Sequence, residues 1–139
     1  MNTKIYKAVH TLAGDLLAAA QKNDQAAFDA LYAELKSLCD THAGTDKDHP
    51  VQWETLADFT EELPAAVAIY QRAFELAVAQ QARDFIASIG YAMAVLELEL
   101  GERASAMAHL TQARQSAKRI EDRQLRGEIN HLLTSLEQE

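Results

Sequence analysis

Carboxylates and histidines crowd one stretch of the chain. Asp46, Asp48, Glu54, Asp58, Glu61 and Glu62 follow closely on one another, with His42 and His49 beside them. Side chains of these types ligate metals or move protons, but only at suitable spacing. Within this stretch no H-E-x-x-H, D-x-D-x-D-G or E-x-x-H pattern is present, so the spacing does not favour a metal. Glu54 and Asp58 lie four residues apart, on one face of any helix. Such a pair does acid–base work only if one carboxyl is desolvated. The simpler reading is a solvated loop followed by helix-start charge that complements the macrodipole. A helical-bundle enzyme or metal-binding protein using His42, His49, Glu54 and Asp58 stands as the alternative reading.

Other chemistry is sparse. The single cysteine, Cys39, can form no intrachain disulfide, and between Leu38 and Asp40 it reads as a small buried apolar side chain. No glycine-rich phosphate loop occurs, and no histidine stands at motif spacing from a serine or cysteine. The expectation is a non-enzymatic chain with no cofactor and no resident metal.

The net charge of −8 and pI near 5.1 disfavour nucleic acid and anionic membrane as partners. They favour a basic partner if that partner is charged. Lys7, His10 and Asp15 interrupt the N-terminal apolar residues, so no secretory signal is read there, and a cytoplasmic protein is expected.

The elements that must position these groups are helical. Ala, Leu, Glu and Gln are abundant, while the chain holds only five glycines and two prolines. Apolar residues recur at three- and four-residue spacing. They predict helices over Thr3–Gln21, Gln25–His42, Pro50–Thr60, Pro64–Gln80, Ala82–Leu100 and Ala104–Ile120, and from Asp122 to near the end. The loop THAGTDKDHP separates the second and third. In the last helix Leu125, Ile129, Leu132, Leu133 and Leu136 form one stripe. Arg123, Arg126, Glu128, Asn130 and Glu137 form a wet back suited to a capping helix. Residues 1–139 read as a single all-α domain.

A small-residue triplet repeats at a step of 40: Ala26–Ala30–Ala33, Ala66–Tyr70–Ala73 and Ala106–Leu110–Ala113. Ala13, Trp53 and Met93 keep the same step, as do Leu16, Leu56 and Leu96. The segment from Met93 to Lys118 resembles a tetratricopeptide repeat in Met93, Ala94, Gly101, Ala106, Leu110 and Ala113. Trp53 to Leu76 is similar, through Trp53, Leu56, Ala66, Tyr70 and Ala73. Ala13 to Cys39 is only weakly alike. The step of 40 exceeds the family's 34, Glu61 stands where the turn glycine would be, and no proline closes the second helices.

The resemblance implies three antiparallel helix pairs in a right-handed superhelix, capped by the last helix. It also implies a concave groove lined by the first helix of each pair. On that mapping Asp15, Asp48, Thr55, Asp58, Ser88, Tyr91, Val95 and Glu99 are the candidate partner-binding residues. The implied function is an acidic groove that captures a basic or helical segment of a partner protein. An adaptor, a secretion chaperone or a toxin-neutralising immunity protein would each work this way. A homodimer is a further possibility, with Trp53 or Phe59 at its seam.

Overall fold

In a computed structural model, residues 2–139 are described and fold into seven α-helices, with no strand among the described residues. They are α1 (Thr3–Gln21), α2 (Gln25–His42), α3 (Pro50–Asp58), α4 (Leu63–Ala79), α5 (Arg83–Glu99), α6 (Arg103–Ala117) and α7 (Arg123–Glu137). None is long and apolar enough to cross a membrane.

Local chemistry sets the helix ends. The Asn2 side chain accepts from the Lys4 and Ile5 amides, and Asp24 and Asp122 cap α2 and α7 in the same manner. At α3 the cap is a histidine. His49 Nδ1 accepts from the Val51 amide, and the Gln52 side chain reaches back to the His49 amide at 2.9 Å. Burial lowers the His49 pKa, which keeps the ring neutral and able to accept.

Three of the turns are closed alike. The amides of Asp24, Ala82 and Glu102 each donate to the carbonyl five residues earlier, and Asn23, Gln81 and Gly101 stand between at positive φ. Only one of the three is a glycine, so two of these turns carry no strong sign in the sequence.

Such short turns fold each helix back on its predecessor. α1 packs on α2, α3 on α4 and α5 on α6, while α1 also meets α3, α3 meets α5 and α5 meets α7. The backbones of the even-numbered helices stay apart, although side chains bridge them where Phe74 of α4 lies against His109 of α6. The odd helices therefore form one layer and the even helices a second.

The small residues explain how closely the layers approach. Ala66, Ala73, Ala106 and Ala113 are all buried. On α5, Gly90 lets the chain come against Ala113 and Phe74. Ile86, Ile89 and Met93 face one apolar cluster and Ala87 and Ala94 the other, so α5 is shared by both halves of the core. A polar pair also crosses from α5 to α6: the buried Glu97 and the partly buried His109 Nδ1 lie 2.7 Å apart, and the Phe74 and His109 rings meet edge to face.

The first triplet does not behave like its counterparts. Ala26, Ala30 and Ala33 are exposed. The inward face of α2 is Phe28, Tyr32, Leu35 and Cys39, which matches Ala66–Tyr70–Ala73–Ala77 and Ala106–Leu110–Ala113–Ala117 at offsets of 38 and then 40 residues. Large side chains stand where alanines stand later, and Phe28 and Tyr32 meet Phe59 and Thr60 at the end of α3. Cys39 is fully buried and its Sγ lies 3.3 Å from the Gln52 carbonyl oxygen, to which it donates. Burial pushes the thiol up to about 12, which leaves no thiolate for nucleophilic chemistry.

Candidate binding face

The odd-helix layer carries two carboxylates whose surroundings disfavour their ionised form. Glu54 leaves α3 toward α5, where the Ser88 hydroxyl donates to its Oε2 at 2.6 Å. One turn further along α3, Asp58 accepts a short hydrogen bond from the Tyr70 hydroxyl of α4. No ion pair reaches either carboxylate among the described residues.

The electrostatic consequence is direct. Burial raises the Glu54 pKa to about 7, and the charge of Asp58 adds to the rise while the Ser88 hydrogen bond opposes it. Burial also raises Asp58, against the pull of Tyr70. Asp58 as a whole residue stays exposed, so its carboxyl is crowded by protein without being sealed from water. Burial, followed by the Asp58 hydrogen bond, raises Tyr70 in turn. The cluster is thus acidic, half-buried and short of cations.

Two hollows flank it. Between α5 and α7 a space of about 340 Å³ is lined by Ser88, Asp122, Gln124, Leu125 and Glu128. Tyr91 sits beside this junction, its pKa raised by burial and then by Glu128. Between α1 and α3 a smaller space of about 90 Å³ is lined by Tyr6, Val9, His10, Ala13, Val51 and Thr55.

The residues singled out from the sequence divide accordingly. Thr55, Asp58, Ser88 and Tyr91 are carried by helices of this layer, although the Thr55 hydroxyl is engaged in donating to the Val51 carbonyl. Val95 is half-buried and Glu99 is exposed in the last turn of α5. Asp15 stands elsewhere, in a hollow of about 590 Å³ between α1 and α2 with Lys7, Glu34 and His42.

Asp48 is not a groove residue. It is 6% exposed and accepts from the Trp53 indole at 2.7 Å, the Gly44 amide at 2.9 Å and Arg72 at 3.2 Å. It holds the loop together. Trp53, packed inside with Arg72 over its ring, is likewise absent from any exposed seam.

His42, His49, Glu54 and Asp58 do not converge either. His42 lines the α1/α2 hollow, His49 caps α3 with its ring against Phe85, and the carboxylates face Ser88 and Tyr70. Among the described residues no three His, Cys, Asp or Glu side chains come together as a ligand set.

The sequence pairs Glu54 with Asp58 by spacing but does not mark Glu54 as a groove residue. Its amphipathic pattern puts Glu128 on the wet back of the last helix, whereas Glu128 is half-buried and turns toward Ser88 and Tyr91. The i, i+4 spacing of Glu54 and Asp58 was the available signal. Nothing local marked Glu128.

Glu54 offers a direct check on this electrostatic picture. Its folded pKa lies above the ordinary 4.5, so the folded state holds the proton more tightly than the unfolded chain. The resulting stabilisation is complete below about pH 4.5 and is lost as pH rises through about 7. Glu54→Gln removes that loss and keeps a partner for Ser88. Urea unfolding is expected to place the variant about 1–3 kcal/mol above the parent at pH 8 and level with it near pH 4.5. An equal difference at both pH values would show that Glu54 is not desolvated.

Comparison of the chain with protein-family models, curated proteins and solved structures found no match.

Proposed function

We propose that this chain is a non-enzymatic protein-binding module whose odd-helix face takes a basic segment of a partner protein. The observation that carries the reading is the Glu54–Asp58 cluster. Two carboxyls are held half-desolvated beside Ser88 and Tyr70, and no cation of this chain pairs with either among the described residues. A lysine or arginine from outside would restore the ionised form of Glu54 and gain a strong charge-assisted hydrogen bond. Glu128 and Asp122, across the α5/α7 hollow, extend the acidic character, and Tyr91 adds an aromatic surface of the kind favoured at interfaces.

The arrangement of helix pairs fits a tetratricopeptide-like array, in which first helices line the binding groove. What supports that reading is the burial of the alanines of α4 and α6 and the contacts between successive odd helices. An adaptor, a secretion chaperone and an immunity protein that neutralises a basic toxin all use such a face, and identifying the partner by affinity capture and mass spectrometry chooses among them.

The test is then a titration of that partner. Binding that needs Glu54 ionised must expel its proton below about pH 7, a cost that fades as pH rises, so affinity should rise about tenfold between pH 6 and 8. Asp58→Lys should weaken it by at least about tenfold at low salt. An affinity indifferent to both pH and Asp58→Lys would remove this face from the interaction.

A further inference from the structure

Outside the odd-helix face, the first half of α2 meets the turn between α3 and α4. A hollow of about 260 Å³ opens there. Its apolar wall is aromatic. Phe28 and Tyr32 stack at 6.5 Å between centroids, and Phe59 meets Phe28 edge-on at 6.3 Å. The Tyr32 hydroxyl and Thr60 Oγ1 are 2.7 Å apart, which fixes the Tyr32 ring against the α3–α4 turn. All three rings are only partly buried although they pack on the core, so ring surface remains available to a ligand.

The rim of the hollow is acidic. Asp29, Glu61 and Glu62 line it, and no lysine, arginine or histidine does. Glu61 and Glu62 make no ion pair among the described residues, and Glu62 stands at the N-cap of α4 without its carboxylate capping the helix. The start of α4 and that of α2 each bring about half a positive charge. Three carboxylates outweigh them, and the hollow is left with a net negative field.

Aromatic faces and carboxylates share one ligand chemistry, an organic cation with an apolar stem. The ring quadrupole attracts the cation, the carboxylates add charge, and the stem covers ring surface. The size agrees, because the hollow falls below the usual range for a whole small-molecule ligand. We infer that this hollow is a receptor for the cationic head of one arginine or lysine side chain presented by a partner polypeptide. Its origin lies in the first helix pair: Phe28 and Tyr32 occupy positions taken by Ala66 and Tyr70 in the second pair and by Ala106 and Leu110 in the third.

The site is separate from the Glu54–Asp58 cluster, and a site-resolved measurement distinguishes the two. The probes are N-acetyl-arginine methylamide and N-acetyl-lysine methylamide, with the citrulline derivative as neutral isostere. Each is titrated into the isotopically labelled full chain and followed by amide and aromatic NMR shifts. Saturable shifts are expected at Phe28, Tyr32, Phe59 and Glu61 to Ala65 with the cations and not with citrulline.

The double variant Glu61→Gln, Glu62→Gln lies on exposed positions and should weaken the cations about three- to tenfold. Tyr32→Leu, checked for folding by circular dichroism, should weaken them as well. Equal response to citrulline, or no saturable shift at these residues up to tens of millimolar probe, overturns the inference. Shifts confined to Glu54, Asp58 and Ser88 overturn it also, while leaving the odd-helix face standing.

Discussion

Asp48→Ala is expected to destabilise the protein by about 2–4 kcal/mol, among the largest losses available to a single polar substitution here. The carboxylate answers three donors from three places. Oδ1 takes the Trp53 indole N–H, while Oδ2 takes the Gly44 amide and Arg72. The Asp48 carbonyl accepts from the Gln80 side chain at 2.9 Å, so the backbone of this residue is also tied to the end of α4. Truncation leaves the indole N–H buried without an acceptor and frees the loop that leads into α3.

Asparagine should not rescue the loss. Its single acceptor can serve Trp53, but its amide then points donors at the donors of Gly44 and Arg72. Trp53 is the only tryptophan, so its emission reports the site directly. The expected outcome is a lower urea midpoint for both variants and a red-shifted emission for Asp48→Ala. Asp46→Ala, exposed two residues earlier, should stay within about 0.5 kcal/mol of the parent. Equal behaviour of the Asp46 and Asp48 variants would show that the clasp does not form.

The second large effect is a change of sign between two chemically identical substitutions. Gly14 and Gly90 both lie inside helices. A methyl group at Gly14 meets nothing within 4 Å. Gly14→Ala should therefore gain the usual helix-interior benefit of about 0.5–1 kcal/mol.

At Gly90 the same methyl falls 3.0 Å from Ala113 Cβ, 3.2 Å from the His109 carbonyl oxygen and 3.3 Å from the Phe74 ring. Two of these neighbours cannot swing aside, since one is backbone and the other a methyl fixed to it. Gly90→Ala should lose about 1–3 kcal/mol through overpacking, more than the helix gain offsets. Gly90→Leu should lose more still. Thermal melts of the two alanine variants settle the matter, because a stabilising Gly90→Ala would mean that α5 and α6 do not approach this closely.

The same contact shows why the sequence was readable in some places and opaque in others. Apolar periodicity located all seven helices, and most predicted ends lie within a few residues of those observed. Spacing also marked Ala66, Ala73, Ala106 and Ala113, and each proved to be buried. Periodicity works for these because the face a helix buries is written in its own residues.

The triplet on α2 shows the limit of that rule. Ala26, Ala30 and Ala33 repeat the spacing of the buried alanines and yet face outward. Alanine suits both a solvated helix surface and a backbone contact, and α2 also carries a stripe of larger apolar residues. Burial of Phe28, Tyr32, Leu35 and Cys39 removes more apolar area from water, and that decided the register.

Side-chain chemistry was harder to read than helix position. Asp48 looked like a loop acid, and Glu128 like a solvated one. Their roles depend on Trp53, Arg72, Ser88 and Tyr91, and of these only Trp53 is close in sequence to the acid it serves. Glu54 could be paired with Asp58 by spacing, but its desolvation arises from α5 lying across it, with Ser88 34 residues away.

The amino-acid sequence by itself thus determined that the chain is helical, where its helices run, and which alanines of α4 and α6 could admit a neighbour. Tertiary structure alone decided which carboxylates lose water and which aromatic rings keep access to it. Desolvation is the sum of what several distant segments bring to one point, and no local pattern records that sum.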